Sequence, residues 1–181
     1  MARVPYVDES VLPTEHQDLL VSALQSKPLN IYRAIGNNPP VLYGLRAFLG
    51  SLWRDSGLDP GQRELVILAV TTEIDSGYEF HQHVAIARDL GIGDSDILAL
   101  VDGDLDGFDR SDRTLIRYAR AVVRGTVDDD CHDALAASHG PETVVGVAAL
   151  AGGYLLVGRL LAALDVDTET PFVGWRLEHD S

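Results

Sequence analysis

From Val144 to Leu164 the chain is apolar at every position except Arg159. A run of that length is either a bilayer span or a helix buried on most of its sides. Gly152 and Gly153 at its middle, with Asp165 and Asp167 just after it, favour the second: a central or interface helix around which the remaining elements pack.

Those elements also read as helices. Gly57-Leu58-Asp59-Pro60 is a helix start, with Asp59 placed to cap and Pro60 at the first helical position, where its missing N–H costs nothing. The helix that follows is apolar from Leu65 to Val70 and ends near Asp75-Ser76-Gly77; the next runs to about Leu90 and stops at Gly91, a C-terminal capping glycine. Another starts near Asp94-Ser95. After an acidic linker from Asp102 to Asp109, Leu115, Tyr118, Ala119 and Val122 recur at helical spacing opposite Arg113, Arg117, Arg120 and Arg124. That arginine stripe reads as a solvated face paired with carboxylates. A short helix capped near Asp128 precedes the long apolar one.

Towards the start, Thr14 opens a first helix with Leu19, Leu20 and Leu24 on one face. Gly36-Asn37-Asn38-Pro39-Pro40 splits residues 29–52 into two helical runs. Residues 1–13, with Pro5 and Pro13, read as an N-terminal arm, and residues from about 167 to 181 as a C-terminal tail. No strand-like alternation of any length occurs. The expectation is an all-α single domain over residues 1–181, in keeping with its length.

A net charge of -14 argues against nucleic acid or an anionic membrane surface as partner, since both repel an acidic field. Small molecules and sister subunits fit better. Cys131 is the sole cysteine, which excludes an intrachain thiol pair and suits a reducing cytoplasm. The first residues, Met1-Ala2-Arg3-Val4-Pro5, contain no apolar segment of the kind that begins a secretory signal.

Chemistry concentrates between Arg63 and Val84. On a helix Glu64 shares a face with Ile67, Leu68 and Thr71, which sets a carboxylate against apolar packing and makes it a candidate proton carrier. Glu79 and His83 are four apart and therefore neighbours on the next helix. An imidazole beside a carboxylate is an acid/base unit near neutral pH. His81 falls on the wetter side, so His83 is favoured over it. Two readings of Ser76 stay open: Ser76-Gly77-Tyr78-Glu79 fits a capping box, which would spend both side chains on the first amides, or Ser76 and Glu79 belong to the site. A metal is not expected, because E-x-x-x-H lacks the second histidine of helical zinc motifs. Cys131 follows Asp128-Asp129-Asp130, where negative charge disfavours its thiolate.

These residues carry a resemblance. Arg63-Glu64-Leu65-Val66-Ile67-Leu68, then Ser76-x-Tyr78-Glu79-Phe80-x-x-His83, then Ala85-x-Ala87-Arg88-x-x-Gly91, is similar to the carboxymuconolactone decarboxylase and alkylhydroperoxidase D superfamily. The subgroup is the one with a Tyr-Glu-Trp-x-x-His segment, Phe80 here replacing the tryptophan. In peroxidases of that superfamily a C-x-x-C pair stands where this chain has Ser76 and Glu79, so the resemblance implies the proton-relay members without the thiols. It further implies an alkylhydroperoxidase D-like helical bundle and a homotrimer or homohexamer. The expected activity is that of a cofactor-free acid/base enzyme, a decarboxylase or related lyase or isomerase, on a small organic acid or lactone. His83, Glu64 and Glu79 would be catalytic, and Tyr78, Ser76 and Phe80 would bind substrate. The competing expectation is a helical oligomer that binds a small ligand or acts as a scaffold, with the same charged residues serving structure.

Overall fold

The computed structural model describes residues 2–22 and 28–169. Leu24 of the expected first helix lies outside them, as does the C-terminal tail beyond Glu169. Among the described residues the fold is all-helical, with one isolated bridge between Val21 and Pro28. By their contacts the described residues divide into two compact units, those up to 51 together with 159–169, and residues 52–158.

In the first unit, Thr14–Leu20 forms a 3-10 helix, where the sequence suggested an α-helix. Pro13 stands at its N-cap and supplies no side-chain cap, so the tighter i to i+3 bonds, such as His16 N–H to Pro13 O, take over. α1 (Asn30–Ile35) and α2 (Pro39–Asp55) follow, with the Pro-Pro pair opening α2. The first residues are not a free arm. Asn37 Nδ2 donates to Pro5 O at 2.7 Å, Arg33 Nε to Val7 O at 3.1 Å, and Arg3 Nη1 to Ala163 O at 2.8 Å. Asp167 binds Tyr6, its carboxylate accepting from the phenol at 3.1 Å and its N–H donating to it at 2.8 Å.

The second unit holds α3 (Pro60–Glu73), α4 (Gly77–Asp89), α5 (Asp94–Asp102), α6 (Arg110–Arg124), α7 (Asp129–Ala136) and most of α8 (Pro141–Leu164). Asp59 caps α3 by accepting from Gln62 N–H at 2.9 Å, and Asp109 and Asp128 do the same for α6 and α7. Gly91, Gly103 and Gly125 end α4, α5 and α6 with positive φ, a conformation glycine adopts without strain. α3 packs against α4, α5 and α6, and every residue from Arg63 to Thr71 is buried. Leu65, Leu68, Val84, Ala87, Ile97, Leu100 and Ile116 form one apolar cluster on it. The arginine stripe of α6 is tied to carboxylates in part: Arg124 grips Glu73 through two bonds of 2.6 and 2.7 Å, while Arg120 donates to Leu100 O.

α8 is long and apolar enough to cross a membrane, and 56% of its most apolar window is buried within the protein. Two of its glycines have opposite surroundings. A Cβ on Gly146 would land on the carbonyl of Ser56, with Ser56 Cα 2.8 Å away, whereas a Cβ on Gly152 would meet nothing within 4 Å. Gly146→Ala should therefore cost about 1–3 kcal/mol through overpacking, while Gly152→Ala should be neutral or stabilising by up to ~1 kcal/mol from helix propensity. Denaturant unfolding of the two variants checks this; equal effects would contradict the packing.

Candidate active site

Glu64 is on the second turn of α3, in a helix buried on all sides, and is itself 0% exposed. A carboxylate so placed needs partners, because an unpaired buried charge is costly. The partner is His83 of α4, whose Nδ1 lies 2.7 Å from Glu64 Oε2. The other ring nitrogen, Nε2, faces Glu79 Oε2 at 3.6 Å, one helical turn away. Glu79 and His83 are 7% and 4% exposed, so the three residues expected to be catalytic do converge in a buried enclosure.

The enclosure is completed by residues that sequence reasoning had not placed there. The Tyr154 ring on α8 meets His83 edge-on at 5.0 Å between centroids, and Trp53 lies 6.1 Å away. Trp53 Nε1 donates to the Tyr154 hydroxyl at 3.0 Å. Arg63 stacks on the Trp53 ring at 3.8 Å, donates from Nη1 to Trp53 O at 2.9 Å, and brings Nε to 3.6 Å from Glu64 Oε1. Arg63 adjoins Glu64 in the motif, but Trp53 and Tyr154 come from distant segments with no local pattern to flag them.

Two opposed effects act on His83. Burial, the largest, pulls its pKa down; the charge and hydrogen bond of Glu64, then the nearby carboxylate of Glu79, outweigh it and raise the imidazole from its ordinary 6.5 to about 9. The two neighbouring carboxyl groups thus favour the imidazolium over the neutral ring. One ring nitrogen is anchored. The other is beyond normal hydrogen-bond length from Glu79 and is the end from which a proton can leave.

The expected substrate-binding residues fall elsewhere. Ser76 is the N-cap of α4 but its side chain makes no cap bond, so the capping box does not form: Glu79 turns to His83 and not back to the helix start. Ser76 and Phe80 line a cleft of about 230 Å³ at the corner of α3 and α4, with Thr71, Thr72, Asp75, Gly77, His81 and Val101. His81 is half-buried there, more exposed than His83 as its place on the wetter side of α4 predicts. Tyr78 is buried five residues before His83, on a different face of α4. Cys131, the free cysteine of α7, has its pKa raised by burial first and then by Asp128.

Residues 39–105 match the carboxymuconolactone decarboxylase family, a span that includes Glu64, Glu79 and His83. No curated protein matches the chain in sequence. In structure it is similar to an alkylhydroperoxidase D core, a peroxidase-related protein from Ralstonia eutropha, at 19% identity over 94% of each chain with a TM-score of 0.82. A peroxidase-related protein from a Silicibacter species gives 0.80 at 19% identity, over 93% of this chain and 91% of that one. The debrominase Bmp8, with 2,3,4-tribromopyrrole bound to a cysteine-to-alanine variant, gives 0.71 at 17% identity over 89% and 84%. The likeness is thus to the carboxymuconolactone decarboxylase family over residues 39–105 and, in fold, to alkylhydroperoxidase D-like helical proteins.

The sign of the His83 shift fixes a pH dependence. Because the folded pKa is raised, the stability it supplies is complete below about 6.5 and is lost as pH rises through about 9. Unfolding free energy should fall between pH 7 and 10 in the natural protein, and this component of the fall should be missing in His83→Gln. An identical slope in both proteins would contradict the assignment.

Proposed function

We propose that this protein is a cofactor-free acid/base enzyme, a decarboxylase or related lyase or isomerase acting on a small organic acid or lactone, with His83 as proton donor. The observation that carries the reading is the asymmetry of the imidazole: Nδ1 fixed by Glu64 at 2.7 Å, Nε2 facing Glu79 at 3.6 Å. In a decarboxylation the C–C bond to the carboxylate breaks, carbon dioxide leaves, and its electron pair passes to the adjoining carbon. His83 Nε2–H then supplies the proton to that carbon, and Glu79 passes a replacement from water. A lyase or isomerase would use the same donor at a different carbon. The debrominase with a bound pyrrole supports a small ring compound as ligand for this fold.

A second reading has its own observation. Glu64 also faces Arg63 at 3.6 Å, and a buried ion network of this kind can serve structure alone, in a ligand-binding or scaffolding helical oligomer. Thiol peroxidase chemistry is the weakest of the alternatives, since Ser76 and Glu79 occupy the thiol positions implied by the resemblance and the lone Cys131 is in α7.

A thermal-shift screen of small carboxylic acids and lactones should identify a stabilising compound. Turnover of that compound should fall by about 10²–10⁴ in His83→Gln, the usual worth of a general acid, while the protein stays folded. Unchanged kcat/KM in a folded His83→Gln would overturn the enzymatic reading in favour of the structural one.

We further propose a homotrimer or homohexamer in the cytoplasm. Val145 and Leu156, 67% and 45% exposed, are eleven residues apart on α8 and so share a face, an apolar strip suited to another copy of the chain. Sedimentation should show the oligomer at micromolar concentration; a monomer there would contradict it.

A further inference from the structure

The Nε2 edge of His83 is where the proposed acid works, and there an ionic contact fails to close. Glu79 and His83 are one turn apart on α4, a spacing at which side chains meet, yet Glu79 Oε2 stands 3.6 Å from Nε2. A carboxylate and an imidazolium drawn together by their charges settle at about 2.7–2.9 Å. Both residues are buried, which strengthens the attraction. The packing around the ring therefore opposes it.

The anchor at the other nitrogen does not. Glu64 Oε2 holds Nδ1 at 2.7 Å, but the imidazole turns on two torsions, and one fixed atom leaves the ring free to swing about it. Arg63 faces Glu64, its Nε 3.6 Å from Glu64 Oε1, with its guanidinium stacked on Trp53. With Glu79 these are the charged groups about the ring among the described residues. The remaining contacts are aromatic: Trp53 of α2 at 6.1 Å and Tyr154 of α8 at 5.0 Å between centroids. Tyr154 is the nearer and stands at 84° to the imidazole, in edge-to-face contact. It is itself held. Its ring is buried, its hydroxyl accepts from Trp53 Nε1 at 3.0 Å, and Arg63 Nη1 donates to Trp53 O at 2.9 Å.

We propose that Tyr154 is a positioning residue of this site: its ring, braced by Trp53 and Arg63, keeps His83 Nε2 from closing on Glu79 and so leaves the Nε2 proton available to a substrate. That purpose rests on the acid/base reading of His83, but the place of the ring can be observed without turnover. A residue that serves packing alone leaves a void when it is cut back; water enters, and a buried N–H exchanges faster. A wedge, once removed, lets the N–H form its bond and exchange more slowly.

The test follows the His83 Hε2 resonance and its exchange with water at pH 7, in the full chain with no ligand added. In Tyr154→Leu the resonance should move downfield and exchange about tenfold more slowly, as one hydrogen bond to a charged group predicts. A crystal structure of that variant should show Nε2 within about 2.9 Å of Glu79. Tyr154→Phe keeps the ring, loses only the tie to Trp53, and should lie between the natural protein and Tyr154→Leu. Tyr154→Met, unbranched and able to fill an irregular gap, should give the leucine result and serves should the leucine variant fail to fold. Ile116→Val alters the apolar cluster on α3, away from the residues around His83, and should leave the resonance in place. Unchanged or faster exchange in a folded Tyr154→Leu or Tyr154→Met overturns the proposal, as does a Tyr154→Phe that matches Tyr154→Leu, or an equal change in Ile116→Val. Full turnover in His83→Gln would remove the catalytic use of Nε2 and leave these results standing, so the two failures are distinct.

Discussion

The bond between Glu64 Oε2 and His83 Nδ1 is the interaction on which the second unit turns. α3 is buried on every side from Arg63 to Thr71, and a carboxylate inside it is tolerable only if its charge is met there. His83 meets it from α4, and in doing so fixes the register of α4 on α3. Removing one partner of such a pair costs about 3–5 kcal/mol because it strands the other charge. The same bond favours the protonated imidazole, so the contact that holds α4 on α3 also sets the charge on which the proposed acid/base role depends.

Around that bond the structure layers aromatic rings and a second cation. Trp53 and Tyr154 hydrogen-bond to each other and bracket His83, and Arg63 closes over Trp53. These contacts exclude water, which strengthens the ionic attraction within. They also join the C-terminal end of α2, the starts of α3 and α4, and α8 through one small cluster. α8 can approach because Gly146 leaves room for the Ser56 backbone.

Much of this was legible in the chain itself, for reasons that can be named. Asp59-Pro60 and Asp128 announce helix starts through side-chain chemistry that is local, and Gly91 ends one through backbone freedom; Asp109 read only as part of an acidic linker. The pairing of Glu79 with His83 follows from helical spacing, and Glu64 from its place in an apolar run. What was not legible depends on tertiary packing. Trp53 and Tyr154 lie on other helices with no periodic signal toward His83. The S-x-x-E motif suggested a capping box, but Glu79 finds a cation at His83, a stronger attraction than a neutral amide. His81 stands across the helix from His83 and is the more exposed of the two, as helical spacing indicates. Thr14–Leu20 tightened to a 3-10 helix because Pro13 offers no cap.

The charge state of one ring decides whether the buried cluster can donate a proton. Titrating His83 by its ring nitrogen resonances in the natural protein should show both nitrogens protonated through pH 8 and a midpoint near 9. A midpoint at or below the ordinary 6.5, with one nitrogen unprotonated at neutral pH, would contradict it, because burial would then have prevailed over the two glutamates.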